Sequence, residues 1–465
     1  MKTGSFITTA AAAAGLLGHV AAIEVDFTSP ASVKSAASSI AFDMMSYYTG
    51  NQSGEFNIPG LLEQPPSGYY WWQAGAMWNT MIDYWHITGD TSYNEATSQA
   101  LLFQVGDDQD FKPANQTKAL GNDDQGFWGM AAMTAAEYNF PNPPEDQPQW
   151  LALAQAVFFT QAAQWDDTHC QGGLRWQIFP FNTGYDYKNS ISNGCFFNIG
   201  SRLARYTGND TYAKAAERSW DWIEKIGLID DQFNIYDGSN DLDNCSTINH
   251  VQYSYNAGVW ILGAANMYNL TKSDVWKSRV QGLLNQTIKV FSDSATGIIV
   301  ERDCELTEPA SCNTDQKSFK AYLTRWMAAT SKLAPFTSDA ISEFLLTSAK
   351  AAAAQCTGGA NGRACGLRWV HNGKTGVWDG TTGVGEEMSA LEVIQSTLIG
   401  QTAGPVTNST GGTSKGNPEA GTKTKTQQEL MNDWIPTTGD RAGAGAVTAA
   451  VLAGLIGGVV WMTME

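Results

Sequence analysis

Asp123 and Asp124 are adjacent carboxylates, and they are the residues in this sequence best suited to acid–base chemistry. Cleavage of a glycosidic bond needs such a pair, with one acid to protonate the leaving oxygen and a second carboxylate as nucleophile or base. Phe127 and Trp128 follow the pair and add the aromatic surface on which sugar rings stack. Three other Asp-Asp pairs occur, at 107–108, 166–167 and 230–231. A solvated turn or the acidic start of a helix is therefore the alternative explanation for the pair.

Other catalytic chemistries lack their residues in this sequence. Beyond residue 22 the histidines are at 86, 169, 250 and 371, and none lies in an HExxH pattern or is accompanied by a cysteine pair with metal-ligand spacing. There is no Gly-x-Ser-x-Gly elbow and no phosphate-binding loop. The formal net charge of −18, with 28 basic against 46 acidic residues, argues against a nucleic-acid partner. We therefore expect a carboxylate enzyme that needs no metal and no cofactor.

Neighbouring Asp residues at the start of a helix favour one of the two glycosidase geometries. Their Cα atoms lie ~3.8 Å apart, so the carboxyl groups can reach the ~5 Å separation of a retaining pair. An inverting pair must also admit a water molecule, and neighbouring Asp residues have less reach for that. The sequence thus favours retention of configuration, and it leaves open which Asp is the nucleophile and which the acid.

A repeated helical hairpin organises the chain around this pair. The segments 84–96 and 206–216 share one form: the end of a helix, a glycine stop, and an Asp/Thr cap that opens the next helix. Comparable breaks fall near residues 89, 143, 208, 271 and 336, at a spacing of about 60 residues. The candidate outer helices 212–226 and 273–291 carry charges beside an apolar stripe, as expected of helices that cover a core.

Each break is preceded by a run that begins with polar or aromatic residues and continues through small ones. These runs begin near Trp71, Asp123, Asn193, Tyr253, Phe319 and Gly385. Six such starts predict six hairpins, each with an apolar inner helix and a more charged outer helix. Hairpins that close on themselves form an all-α (α/α)6 toroid, and an open α-solenoid is the alternative packing. In the toroid all six inner starts line one face, and Asp123-Asp124 is the one Asp-Asp pair that opens an inner helix.

The two ends of the chain predict export and anchoring. Residues 1–22 have the basic start, apolar stretch and small-residue cleavage site of a secretory signal peptide. Residues 401–440 are rich in Gly, Ser and Thr and predict a disordered stalk after a catalytic domain at 23–400. Residues 441–465 are interpreted as a hydrophobic GPI-attachment signal, which would make a membrane the partner of a lipid anchor. A single membrane span is the alternative, but the cytoplasmic basic residues that it normally has are missing.

Cysteines and glycosylation sequons support an exported protein. Seven cysteines leave one unpaired. The expected disulfides are Cys304–Cys312, Cys356–Cys365 and Cys170–Cys245, with Cys195 left as a buried thiol. Asn-X-Ser/Thr sequons occur at Asn51, Asn115, Asn209, Asn244, Asn269, Asn285 and Asn408. Seven sequons in an exported chain predict a glycosylated surface.

Five motifs, taken together, carry a family resemblance. They are Tyr70-Trp-Trp-Gln-Ala-Gly-Ala76, Asn122-Asp-Asp-Gln-Gly-Phe-Trp128, Gly173-Leu-Arg-Trp-Gln177, Asn193-Gly-Cys-Phe-Phe-Asn198 and Tyr255-Asn-Ala-Gly258. On these motifs the chain resembles glycoside hydrolase family 76, in its fungal GPI-anchored cell-wall branch, from about residue 30 to 400. The resemblance implies an (α/α)6 fold and retaining cleavage at α-1,6-linked mannose, with Asp123 as nucleophile and Asp124 as general acid/base. It also implies a membrane or wall location, with mannan or GPI-glycan as donor and wall glucan as a possible acceptor for transfer.

Further candidates for sugar binding lie mostly at the inner-helix starts. They are Trp72 and Trp128 as stacking platforms, Gln73, Asn122, Asn193 and Asn256 as partners of sugar hydroxyls, Arg175 and Lys320 as cations for an acidic or phosphorylated glycan portion, and Glu386 as a further cleft carboxylate. Core packing is the alternative for the tryptophans, and helix capping is the alternative for the amides. A surface ion pair is the alternative for Lys320, and a first-turn dipole partner is the alternative for Glu386.

Three functions stay open at this stage. The first is a monomeric retaining α-mannosidase or mannosyl-transferring enzyme of the cell wall, which depends on the Asp pair. The second is an inverting glycosidase on the same toroid, which needs a distant carboxylate such as Glu386 as the partner. The third is a non-catalytic wall lectin or scaffold that keeps the groove, and for this function an Asp123→Asn substitution is harmless.

Overall fold

The computed structural model describes residues 23–54, 57–63, 68–371, 373–422 and 438–463. In chain order its helices are α1 Pro30–Met45, α2 Trp71–Thr88, α3 Asn94–Phe103, α4 Asn122–Glu137, α5 Trp150–Ala163, α6 Ser190–Thr207, α7 Asp210–Lys225, α8 Ser254–Thr271, α9 Asp274–Val290, α10 Arg302–Glu305, α11 Phe319–Leu333, α12 Ser338–Gln355 and α13 Val384–Ser396. A C-terminal helix, Thr438–Thr463, follows. The strands β1 Tyr187–Asn189, β2 Gly238–Asn240 and β3 Ile248–Asn249 pair antiparallel in the order β1-β2-β3. The predicted signal peptide lies outside the described residues.

Six inner helices form a closed ring, which confirms the predicted toroid. Each of α2, α4, α6, α8, α11 and α13 packs against the next, and α13 packs against α2. In an open solenoid, α13 and α2 would not be in contact. Helix α13 takes an outer partner from the other end of the chain, because α1 packs against it. The N-terminal helix therefore completes the sixth hairpin as its outer helix.

Small residues let the inner helices pack closely against neighbouring helices. A Cβ added to Gly75 would meet the Trp128 ring at 2.7 Å, and one added to Gly129 would meet Val157 at 2.8 Å. Every residue of α4 from 125 to 137 is buried, so this helix is covered on all sides. Helix α7 instead buries one face and exposes its charges, as an outer helix should.

A buried ionic network fills the end of the ring opposite the N-termini of the inner helices. Glu137, at the end of α4, pairs with Arg202 at 2.6 Å and with Arg205 at 2.8 Å, and all three side chains are buried. Arg205 also donates to Asn266 Oδ1 at 2.8 Å. One carboxylate thus compensates two buried guanidinium groups, which ties α4 to α6.

Replacement of Glu137 with Ala is expected to destabilise the protein by about 3–5 kcal/mol, because two buried arginines lose their counter-charge. The matched control is Glu145→Ala, which breaks an exposed pair with Lys415 at 2.7 Å and should cost under about 1 kcal/mol. Urea unfolding followed by circular dichroism measures both changes. Equal losses of unfolding free energy in the two variants would contradict a stabilising role for the buried network.

The three disulfides of the structure are the pairs expected from the sequence. They join Cys170 to Cys245, Cys304 to Cys312 and Cys356 to Cys365, and Cys195 is a buried free thiol. Among the predicted glycosylation sites, Asn51, Asn115, Asn209, Asn244, Asn285 and Asn408 are exposed. Asn269 is half-buried, and its amide donates to the Leu333 carbonyl at 3.0 Å.

The prediction of a disordered stalk is wrong for residues 401–422. Lys332 Nζ donates to the Thr402 carbonyl at 2.8 Å, and the Val406 N–H donates to the Glu137 carbonyl at 2.8 Å. Further on, the Asn417 N–H donates to Gln155 Oε1 at 2.6 Å. The segment is ordered because its backbone groups find partners on the toroid, which its Gly/Ser/Thr composition does not reveal. The remainder of the predicted stalk, 423–437, lies outside the described residues.

The predicted GPI-attachment signal, 441–465, falls almost entirely in the C-terminal helix. Its large apolar side chains that are described, such as Val451 and Leu455, are exposed. None of the helices in the described ranges combines the length and the apolar character that a membrane crossing needs.

Candidate active site

The first turn of α4 carries the acid pair, and a loop that precedes α6 fixes it in place. The Asn122 N–H donates to the Trp176 carbonyl at 2.8 Å, and Asn122 Nδ2 donates to the Arg175 carbonyl at 2.9 Å. From α5, Gln161 Nε2 donates to the Asn122 carbonyl at 2.7 Å. Because both its backbone and its side chain are held, Asn122 positions the start of the helix and is itself fully buried.

The two carboxyl groups of the pair lie close together at the base of a cleft. Asp124 Oδ2 accepts the Gly121 N–H at 2.6 Å, and Asp123 Oδ1 accepts the Asp124 N–H at 3.0 Å. One oxygen from each carboxylate lies within 3.0 Å of the point where a Cβ on Gly121 would stand. These oxygens are therefore less than twice that distance apart. This fits the ~5–5.5 Å of a retaining pair better than the ~6.5–9.5 Å of an inverting pair.

Replacement of Gly121 with Ala is expected to lower kcat/KM about 100-fold, because the added methyl group displaces both carboxylates from their positions. The backbone at Gly121 has φ −94° and ψ 163°, which alanine also adopts, so the effect on folding should be smaller than the effect on activity. Gly400→Ala is the control, since a Cβ there meets nothing within 4 Å. Steady-state kinetics would contradict the geometry if Gly121→Ala kept wild-type activity.

The surroundings of Asp123 and Asp124 affect the pKa values of the two acids differently. Burial raises the pKa of Asp123 to about 7, and this rise is limited by backbone N–H groups and by a hydrogen bond from the Trp176 side chain. Burial, and then the charge of Asp123, raises the pKa of Asp124 well above its usual range, with the Gly121 N–H as a weaker opposing influence. Asp123 therefore ionises first while Asp124 keeps its proton. One charged and one protonated carboxyl group are what acid-assisted displacement at a sugar requires.

The cleft above the pair has a volume of about 250 Å³ and a wall of aromatic and acidic side chains. Beyond the pair, these include Trp72, Phe127, Trp176, Tyr187, Tyr253, Tyr255, Phe319, Asp237 and Asp315. Tyr255 and Phe319 stack face to face with ring centroids 3.8 Å apart. Flat apolar faces beside hydroxyl-binding carboxylates suit an uncharged sugar.

A third carboxylate, Asp315, faces the pair from the loop that follows the Cys304–Cys312 disulfide. Trp72 Nε1 donates to Asp315 Oδ1 at 3.2 Å, and Gln73 Nε2 donates to the Thr314 carbonyl at 2.9 Å. Burial raises the pKa of Asp315 to about 6. Its charge contributes in turn to the raised pKa of both acids of the pair.

Replacement of Asp315 with Asn is expected to move both limbs of the pH–rate profile to lower pH. Removal of a nearby negative charge favours the ionised form of Asp123 and of Asp124, so both pKa values fall. The profile of kcat/KM against pH measures the shift, whatever the change in absolute rate. The exposed Asp231, replaced with Asn, is the control. An unmoved profile in Asp315→Asn would contradict the electrostatic role.

A fourth carboxylate, Asp237, is held on the opposite wall. Its Oδ2 accepts from the Tyr187 hydroxyl at 2.8 Å and from Asn249 Nδ2 at 3.2 Å. Burial raises the pKa of Asp237. Asn256, a predicted sugar ligand, is itself buried at the start of α8 and lies outside the cleft wall.

Arg175 is a structural cation, which corrects its predicted contact with an acidic glycan portion. Its buried guanidinium pairs with Asp166 at 2.8 Å and with Asp241, and it lies 4.5 Å from the ring centroid of Tyr185. Asp166, Asp241 and His169 place ligand-type atoms within 4.8 Å of one another, and Arg175 supplies positive charge to this cluster. The charge of Arg175 is thus already balanced inside the protein.

Trp128 and Lys320 also lie outside the cleft wall. Trp128 is fully buried and stacks on Trp71 with centroids 5.0 Å apart, so core packing replaces the predicted sugar platform. Lys320 is fully buried, pairs with Glu305 at 2.7 Å and donates to the Leu367 carbonyl at 2.6 Å. Neither the predicted glycan contact nor the alternative surface ion pair describes Lys320, because it lies inside.

The remaining predicted ligands fasten the loops that build the cleft. Asn193 Oδ1 accepts the Leu174 N–H at 2.7 Å and so holds the loop of Trp176, as Gln73 holds the loop of Asp315. Glu386, in the first turn of α13, is buried and pairs with Lys317 at 3.2 Å. Glu386 is absent from the cleft wall. Of the predicted residues, the acid pair and Trp72 line the cleft.

A closed (α/α)6 toroid with an acid pair at the base of an aromatic cleft defines a glycoside hydrolase that works with carboxylates. The chain belongs to glycosyl hydrolase family 76, whose model matches residues 32–409. It is 46% identical over 443 residues to the mannan endo-1,6-alpha-mannosidase DCW1 of Saccharomyces cerevisiae, and the match covers 95% of each chain. DFG5 of the same yeast, also named a mannan endo-1,6-alpha-mannosidase, is 43% identical over 444 residues, or 95% of this chain and 94% of its own.

Solved structures share the fold. Dfg5 of Chaetomium thermophilum, crystallised with glucosamine, is 47% identical with a TM-score of 0.82, over 89% of this chain and 100% of its own. An α-1,6-mannanase of Salegentibacter is 18% identical with a TM-score of 0.61, over 78% of this chain and 98% of its own. The second likeness shows the fold alone.

Several residues that line the cleft were not among the site residues predicted from the sequence. Trp176, Tyr255 and Phe319 lie within motifs or helix starts that the sequence marked, and their aromatic rings were the available signal. Asp237 and Asp315 come from loops between hairpins, where a lone Asp has no distinguishing pattern. The closed ring is what brings these loops to the acid pair.

Proposed function

We propose that the protein is a retaining glycosidase or transglycosidase that acts on α-1,6-linked mannose, in mannan or in a GPI-glycan. Asp123 attacks the anomeric carbon and forms a mannosyl-enzyme ester, while Asp124 protonates the leaving oxygen. Asp124 then deprotonates the water or acceptor hydroxyl that releases the sugar from Asp123. The observation that carries the proposal is the close acid pair, with its separated pKa values, at the base of the cleft.

The hydrogen bonds to each acid support the assignment of roles. Asp123 accepts from the Asp124 N–H and from the Trp176 side chain, so its charged form is the better stabilised. Burial and the charge of Asp123 raise the pKa of Asp124 well above its usual range, so Asp124 is the reservoir of the proton. The substrate class rests on the relatives, DCW1 and DFG5 of yeast, that are named mannan endo-1,6-alpha-mannosidases.

The proposed location is the outer face of the plasma membrane or the cell wall, reached by secretion and held by a GPI anchor. Its support is the signal-type N-terminus, the apolar C-terminal segment and the exposed sequons. The donor is mannan or a GPI-glycan, the acceptor in a transfer reaction is wall glucan, and the protein works as a monomer without a cofactor.

Incubation of the purified protein with an α-1,6-mannoside, with and without a glucan acceptor, tests the proposal. Mass analysis of the products should find shorter mannosides in the first case and mannosyl-glucan in the second. Hydrolysis in both cases would leave a glycosidase and reject transfer. No reaction under either condition, with glycan binding intact, would favour the non-catalytic lectin.

A further inference from the structure

A polar groove adjoins the catalytic cleft on the side of Asp237. It has a volume of about 480 Å³, and its wall consists of Asn249, His250, Val251, Gln252, Arg302 and Asp303. Asn249 ends β3, the next three residues follow this strand, and the other two belong to the short helix α10. Asn249, His250, Arg302 and Asp303 are exposed at its surface. No role in the reaction described above uses these residues.

The groove and the cleft share one wall. Asn249 lines the groove, and its Nδ2 donates to Tyr187 Oη at 3.1 Å and to Asp237 Oδ2 at 3.2 Å, both on the cleft side. Gln252 lines the groove, and the next residue, Tyr253, lines the cleft. A bound chain can therefore pass from one space to the other along residues 249–253.

Segments that flank the Cys304–Cys312 disulfide border the same passage on its other side. The Gln316 side chain, which lines the cleft, hydrogen-bonds to Tyr253. The buried Glu301, which precedes Arg302 directly, accepts from the Ser254 N–H at 3.1 Å. Residues beside the groove are thus held against the start of α8. The groove is therefore a fixed part of the surface that surrounds the cleft.

The size and chemistry of the two spaces differ. The cleft, at about 250 Å³, is smaller than typical small-molecule sites of about 300–1,000 Å³, so it holds only a short piece of a glycan. The groove presents amides, a guanidinium, an imidazole and a carboxylate, which are the donors and acceptors that bind sugar hydroxyls. Arg302 is exposed there, whereas Arg175 and Lys320 are neutralised inside the protein.

We infer that the groove is a binding site for the part of an oligosaccharide chain that extends beyond the sugar in the cleft, with Gln252 and Arg302 as ligands of its hydroxyls. The inference rests on the proposed function, and it names the residues that select a long glycan over a short one. The groove residues stand apart from the acid pair, so they should affect affinity for the extension and leave the chemical step on a short substrate unchanged.

A double variant, Gln252→Ala with Arg302→Ala, tests this inference. We expect kcat/KM for an α-1,6-mannohexaose to fall about tenfold, and kcat/KM for the shortest cleaved α-1,6-mannoside to change less than about twofold, since uniform binding of the extension is lost. Lys350→Ala, an exposed cation beside the N-terminal segment, is the control and should change neither value. Equal losses on both substrates, or none on either, would overturn the groove as an extension site.

Calorimetry with Asp123→Asn as the background separates this inference from the proposed function. The background variant should bind the hexaose more tightly than the shortest mannoside, and the added Gln252→Ala and Arg302→Ala changes should remove that preference. If the wild type cleaves no mannoside while the preference is present and is lost on substitution, the proposed reaction fails and the groove stands. If cleavage occurs and no length preference exists, the groove inference fails alone.

Discussion

Replacement of Asp123 with Asn is expected to lower kcat by several orders of magnitude, about 10⁴-fold or more, while the protein still folds and binds glycan. An amide is a poor nucleophile, and it cannot form the ester that splits a retaining reaction into two steps. Asn is close to Asp in volume and can still accept the Asp124 N–H through its Oδ1. The loss should therefore appear in kcat with little change in KM.

Kinetics on an α-1,6-mannoside together with a glycan-binding measurement check this expectation. Asp167→Asn is the matched control, because Asp167 belongs to another Asp-Asp pair and forms an exposed ion pair with Arg218 at 2.6 Å. Loss of this ion pair should leave activity within about twofold of the wild type, because an exposed ion pair contributes little to stability. Activity of Asp123→Asn within tenfold of the wild type would remove Asp123 from the role of nucleophile.

Replacement of Asp124 with Asn is expected to lower the rate on a natural mannoside about 10³–10⁴-fold, because the leaving oxygen no longer receives a proton. The loss should be much smaller on an aryl mannoside with an acidic phenol, which leaves without protonation. Release of the mannosyl-enzyme also needs Asp124 as base, so the ester should accumulate in this variant. A burst of phenol followed by a slow steady rate is the expected time course.

An external nucleophile distinguishes this role from a general loss of structure. Azide needs no deprotonation, so it should restore turnover of the aryl substrate by Asp124→Asn and give a mannosyl azide of retained configuration. The same addition should do nothing for Asp123→Asn. Rescue of Asp123→Asn with retained configuration, and no such rescue of Asp124→Asn, would exchange the two assignments.

Local sequence patterns were enough to place the ring and the acid pair. Small-residue runs that open with polar or aromatic residues can be covered on every side, and such runs begin at the observed inner helices α2, α4, α6, α8, α11 and α13. The pair at 123–124 was separated from the other three because it alone opens such a run. The short disulfide loops followed from the same local reasoning, since close cysteines have few other partners.

Sequence patterns could not predict which way a side chain faces once the ring of helices has closed. Trp72 and Trp128 look equivalent as aromatic residues near helix starts, yet one lines the cleft and the other is fully buried. Arg175 and Lys320 look like exposed cations, and each is neutralised by acids distant in sequence. The segment 401–422 has the composition of a stalk, and its order depends on partners in α4, α5 and α11.

The most direct test of the account is to trap the mannosyl-enzyme. The protein is treated with a 2-deoxy-2-fluoro-mannosyl fluoride, digested with a protease and analysed by tandem mass spectrometry, because the fluorine slows release of the ester more than its formation. We predict one added fluoromannosyl group, located on Asp123, and none in the Asp123→Asn variant. An adduct on another carboxylate, or turnover with inverted product and no adduct, would contradict the retaining mechanism at Asp123.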